Sequence, residues 1–160
     1  MATDAEKKKR LNRVFNITIY ALAKGLWDLF GESAFATTNS IGDEILKVLE
    51  KEAGLEIHGE SPEDILIEIE RLLIDEIGTM SDGEVTIDDD GTVRMACTRC
   101  FLRSATADLE ADGVQPFACV PMTIAAAAMR KRLGTRHRVL GRDWDSETET
   151  CTIKFELLDY

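Results

Sequence analysis

The period at which apolar residues recur changes midway along this 160-residue chain, and that change limits the fold. Up to about residue 77 they return at three- and four-residue steps, the spacing that lines one side of a helix. After residue 85 they begin to alternate, the spacing that lines one face of a strand. The first helix is predicted from about Ala5 to Phe30, with Leu11, Val14, Phe15, Thr18, Leu22, Leu26, Leu29 and Phe30 as its buried side. Its first turns carry Lys7, Lys8, Lys9, Arg10 and Arg13, and Gly31 ends it. A second helix is expected from Ile41 to Ala53, capped by Ser40, with Ile45, Leu46, Val48 and Leu49 apolar and Gly54 beyond. Between them, Ser33 to Asn39 extends one helix or forms the bend. Ser61-Pro62-Glu63-Asp64 gives the third helix a capping serine, a proline at its first position and acids at the positive end of its dipole. Ile65, Ile69, Leu72, Leu73 and Ile77 mark its inner face, and Gly78 stops it.

Val85 and Ile87, then Val93 and Met95, alternate on either side of Asp88-Asp89-Asp90-Gly91, which predicts a hairpin. The aspartates do not make a calcium loop. In that register Thr86 replaces the first acid and Cys97 stands where the bidentate glutamate belongs. The stretch through Gly113, Pro116 and Phe117 reads as irregular. A helix is predicted from Met122 to Leu133, built on Ala125 to Ala128 and closed by Gly134. Strands at Arg136 to Arg142 and Thr148 to Leu158, joined through Asp145 and Ser146, make a second hairpin. Cys151, Ile153, Phe155 and Leu157 share one face of its last strand. The order describes a single α+β domain over residues 1–160: N-terminal helices packed on an antiparallel sheet of two hairpins, with a helix between the hairpins.

Thirty acidic against 19 basic residues leave a net charge of −11, which argues against a nucleic-acid surface, because duplex binding needs clustered cations. No window nears the roughly 18 apolar residues of a membrane span, and Met1 to Arg13 lacks the apolar segment of a secretion signal. A cytoplasmic location is expected, where thiols stay reduced.

Four cysteines then stand out. Cys97 and Cys100 form a CxxC pair, and Cys119 and Cys151 complete a four-thiolate metal shell if the fold brings them together. Zinc is the first metal to consider and an iron–sulfur cluster the second. Beside the metal reading stand a redox-active CxxC pair and plain core thiols. A cysteine enzyme would need a base and an orienting carboxylate near Cys119, and His137 with Asp143 are the candidates. GxSxG, Walker, GxGxxG and HExxH motifs do not occur. His58 and His137 read as surface residues and not as haem ligands. Arg130, Lys131, Arg132, Arg136, Arg138 and Arg142 read as a salt-bridged surface, and the acids from Glu56 to Asp90 as a solvated face.

Pro116-Phe117-Ala118-Cys119, a small-residue helix, Gly134 and a strand pair ending Cys151-Thr152-Ile153-Lys154-Phe155 together resemble the 4-vinyl-reductase domain of hydrocarbon-binding proteins. Asp143 and Trp144 stand where that family places a further cysteine, and Val120 where a histidine often follows the first one. The resemblance implies a non-catalytic sensor or carrier that binds an apolar small molecule and pairs as a homodimer. It carries no catalytic residue over to this chain.

Overall fold

A computed structural model of the protein describes residues 2–115, 117 and 119–158, so Pro116 and Ala118 of the motif above lie outside the described residues. Helix α1 (Asp4–Phe30) starts where Thr3 and Glu6 cap each other reciprocally and ends where Gly31 turns to φ +54°. A 3-10 segment (Gly31–Ala36) leads into α2 (Thr37–Ala53), and α3 (Pro62–Arg71) runs on into a π segment (Leu72–Glu76). Strands β1 (Asp82–Ile87) and β2 (Thr92–Thr98) make the first hairpin. Helices α4 (Arg103–Ala111) and α5 (Val120–Leu133) precede the second, β3 (Arg136–Asp145) with β4 (Thr150–Leu158). The four strands form one antiparallel sheet in the order β1-β2-β4-β3. The fold is therefore α+β as the periodicity predicts.

Two compact units divide the chain. One comprises residues up to Thr38 together with Phe101–Cys119, the other Asn39–Cys100 with the residues from Val120 onward.

The first unit is built on α1 and α4. Ala23, Ala34, Leu109, Val114 and Phe117 form its core, with Tyr20, Leu26, Trp27 and Phe35 packed around them. Phe35 meets the rings of Trp27 and Phe117 edge-on, each at 6.1 Å between centroids. Asn16 is buried in this seam. Its amide donates to the Phe101 carbonyl at 2.9 Å, and its oxygen accepts from the Ala105 amide at 3.1 Å, which supplies a donor at the start of α4 with a partner. The packed side of α1 thus runs through Asn16, Ala23 and Trp27, and of the predicted stripe Leu26 joins it while Phe15 rests on Phe101. Leu11, Val14, Leu22, Leu29 and Phe30 are exposed, since α4 presents a short polar-bonded seam instead of a wide apolar groove. Helix α4 itself replaces the irregular stretch expected there. Only Ala105 and Leu109 are buried on it, and its start is capped not by its own N-cap Leu102 but by the distant Asn16, so periodicity and local capping both left it silent.

The second unit is organised by α5. Every residue from Pro121 to Met129 is buried, and its alanines let neighbours approach to backbone contact. Gly42 of α2 lies so close that a Cβ there would stand 2.3 Å from the Thr123 carbonyl oxygen. Above that contact Arg130 bonds Asp43 at 2.6 Å, and Lys131 bonds Glu50 at 2.5 Å. Helix α2 starts four residues before the predicted Ile41, because the chain passes directly from the 3-10 segment into the helix without a Ser40 cap. The exposed Val48 turns away from the core. On α3, Ile65, Leu66, Ile69, Leu72 and Leu73 are buried, and the π turn shifts the register so that Ile77 emerges at the surface. The inner face of the sheet carries Val93, Met95 and Cys97 from β2 and Cys151, Ile153 and Phe155 from β4. The outer face is ionic, with Arg94–Asp88 at 2.7 Å, Arg138–Glu156 at 2.7 Å, and Lys154 paired with Asp143.

Two substitutions test this packing. Gly42→Ala should destabilise the protein by about 1–3 kcal/mol through overpacking, seen as a lower denaturant midpoint at unchanged slope. Asn16→Ala should cost about 1–3 kcal/mol, because it strands the Phe101 carbonyl and the Ala105 amide. An unchanged midpoint in either variant contradicts the contact described.

Candidate thiol site

Register, not sequence spacing, decides which cysteines meet. Cys97 of β2 lies directly opposite Cys151 of β4, and the same row continues to Gly83 on β1 and Trp144 on β3. Both cysteines face inward, 2% and 8% exposed. Directly opposed residues of an antiparallel pair hold their Cβ atoms about 4.5–5.5 Å apart. A disulfide needs roughly 3.5–4.5 Å, so a small shift of the strands would bring the sulfurs to bonding distance. One row further out, the Thr98 and Thr150 hydroxyls hydrogen-bond across the outer face at 2.8 Å and hold the register at the sheet end.

The turns beyond that row are conformationally unusual. Arg99, inside the CxxC, has φ +51°, and Glu149, just before β4, has φ +54°; they are the non-glycine residues in the left-handed region among the described residues. Side chains with a Cβ seldom adopt this region, and such residues concentrate at functional sites. The two sustain each other: the Arg99 amide donates to the Glu149 carbonyl at 2.9 Å, and the guanidinium reaches the Glu149 carboxylate at 3.3 Å. Through this clasp the chain leaves β2 and carries the half-buried Cys100 into the turn. Cys97 therefore has a cross-strand neighbour in Cys151, whereas Cys100 sits beyond the strand that orients Cys97. The roles of Arg99, Glu149 and Trp144 left no mark in the sequence, since strand pairing across more than fifty residues creates them.

Cys119, half-buried, belongs to the first unit and immediately precedes α5 in the chain. Among the described residues no three His, Cys, Asp or Glu side chains gather as a metal-holding group. The second unit holds three of the four cysteines, together with His58 and His137.

His58 is exposed, as expected. His137 is not a surface residue. It is half-buried on the inner face, edge-on to Phe155 at 6.2 Å, while Asp143 points to the outer face and pairs with Lys154; the two cannot serve one cysteine as base and orienting acid. Within the basic cluster Arg130 and Lys131 are salt-bridged to Asp43 and Glu50 of α2 and Arg138 to Glu156 of β4, and Arg132 bonds the His58 carbonyl at 2.8 Å. Between α2 and α5 this leaves an open groove of about 390 Å³, floored by Leu46 and Ala127 and rimmed by those ion pairs.

Burial, with a smaller contribution from Arg130, holds the His137 imidazole below its ordinary value of 6.5. A depressed histidine favours folding while neutral, and the unfolded chain takes the proton first. Stability should therefore be full above about pH 6.5 and decline as the pH falls below it. Thermal unfolding between pH 7.5 and 5.5 checks this: His137→Gln should flatten the slope relative to the wild type, and equal slopes would contradict it.

Against known proteins, residues 15–156 match the family model described as "putative rubredoxin C-terminal domain". No curated protein matches the chain.

Proposed function

Since this chain belongs to the rubredoxin C-terminal domain family, we propose that it is a non-catalytic sensor module allied to an iron–thiolate electron carrier, with the Cys97–Cys151 pair as its sensing group. The single observation that carries this reading is the direct opposition of two buried cysteines across β2 and β4, at the sheet end where Arg99 and Glu149 clasp the turns. The family's name speaks of rubredoxin, an electron carrier, and a thiol pair beside such a carrier is suited to report oxidising conditions. The balanced step uses a peroxide as oxidant. The Cys151 thiolate attacks one peroxide oxygen and releases hydroxide, leaving a sulfenic acid; the Cys97 thiol then displaces it as water and closes the disulfide. Two thiols and one hydrogen peroxide thus give one disulfide and two waters, with both sulfurs oxidised and both peroxide oxygens reduced. Closing the bond would pull β2 and β4 together at the end held by Thr98 and Thr150, so the signal would be a change in the turns beyond them.

A second reading, carriage of an apolar small molecule, draws support from the element order, in which N-terminal helices, a hairpin and a small-residue helix before a last hairpin follow the 4-vinyl-reductase resemblance, with α4 as an added helix.

Hydrogen peroxide titration of the reduced protein, followed by alkylation and peptide mapping, tests the first reading. The expected product is a Cys97–Cys151 cross-link about 2 Da lighter than the two thiols, absent from Cys97→Ser and Cys151→Ser. A cross-link through Cys100, or overoxidation at Cys151 without a cross-link, would overturn it. So would stoichiometric iron or zinc on the reduced protein that is lost in Cys100→Ser, which would return the cysteines to metal binding.

A further inference from the structure

On the first unit, α1 leaves one apolar face uncovered, and its spacing differs from that of the packed face. Leu11, Phe15, Thr18, Leu22, Gly25 and Leu29 follow steps of four, three, four, three and four, the seam of a helix that pairs with another helix. All six are exposed, with Leu11, Leu22 and Leu29 at 70%, 61% and 77%, while Phe15, 44% exposed, stacks one ring face on Phe101 of the same unit at 5.7 Å between centroids and presents the other outward. The stripe runs about 27 Å along the helix, and monomers seldom leave a continuous apolar strip of that length bare. Gly25 adds a second, independent observation. A Cβ there would meet nothing within 4 Å, so no contact inside the chain calls for a glycine that weakens the middle of a helix.

We infer that this stripe is the surface through which two copies of the chain pair, α1 against α1, in antiparallel orientation. Residue sizes and charges select the orientation. Setting Leu11 opposite Leu29 of the second copy also sets Phe15 opposite Gly25 and Thr18 opposite Leu22, so each bulky side chain meets a small residue or the far end of the stripe. The parallel arrangement would stack Phe15 on Phe15 and leave a gap at Gly25 against Gly25. It would also press the Lys7, Lys8, Arg10 and Arg13 cluster against its own copy. Antiparallel pairing instead brings those cations opposite Asp28, which pairs with Lys24 of its own helix, and Glu32 just beyond the end of α1. The glycine is then the hole into which the partner's phenylalanine fits. This pairing is independent of the thiol chemistry.

Light scattering on the full chain tests the pairing. The wild type should run at twice its 17.8 kDa, and Leu22→Glu, at an exposed position, should weaken the dimer at least tenfold with an unchanged far-ultraviolet spectrum. Leu11→Lys and Leu29→Glu should each weaken it, and the double variant should recover most of the loss, because antiparallel packing sets the new lysine against the new glutamate. A monomer at all concentrations, or a dimer indifferent to Leu22→Glu, overturns the interface. A double variant no tighter than the single ones overturns the orientation.

Discussion

The pairing of β2 with β4 is the contact on which the second unit depends. Each hairpin alone is a two-stranded ribbon, marginal in water, and the two hairpins are separated in the chain by α4 and α5. Joining them through β2 and β4 creates a four-stranded sheet with one continuous apolar face, from Val93 and Met95 to Ile153 and Phe155. The same register decides the site. A slip of β4 by one residue would turn Cys151 to the outer face, away from Cys97, and bring Lys154 and Glu156 inward. Core and candidate chemistry are thus consequences of one alignment, held at its open end by two threonine hydroxyls and by the Arg99–Glu149 clasp.

Helix α5 shows how a sequence of low information can occupy the most demanding place in a fold. Four alanines contribute little hydrophobic area each, yet a helix buried on all sides gains from being thin. Thin walls let α2 reach it at Gly42 and let Ile65, Leu66 and Ile69 of α3 fill the remaining volume. The cations gathered at its C-terminal end are accounted for in the same way. Arg130 and Lys131 tie α5 to α2, and their charges suit the negative end of the helix dipole.

The two candidate surfaces differ in how legible they were. The α1 stripe is written in the sequence: the spacing of Leu11, Leu22 and Leu29 defines one face, which the fold leaves exposed and does not bury in the core. Periodicity says that a face is apolar and does not say what covers it. The cysteines present the reverse case. CxxC spacing directs attention to Cys97 and Cys100, whereas strand pairing sets Cys97 opposite Cys151 and the chain carries Cys100 past the end of β2. Helix α4 has almost no local signal, because it is nine residues long, buries two side chains and takes its cap from Asn16 of a distant helix.

By itself the sequence determined the α+β class, the positions of both hairpins, the alanine-rich helix and the helix stops at Gly31 and Gly134, because these follow from local periodicity and from backbone freedom at single residues. Tertiary structure alone decided that Cys97 faces Cys151, that His137 turns inward while Asp143 turns out, and that α1 packs through Asn16 and Ala23. Those outcomes depend on which distant segments pair and in what register, an energy that is shared between segments and belongs to neither of them.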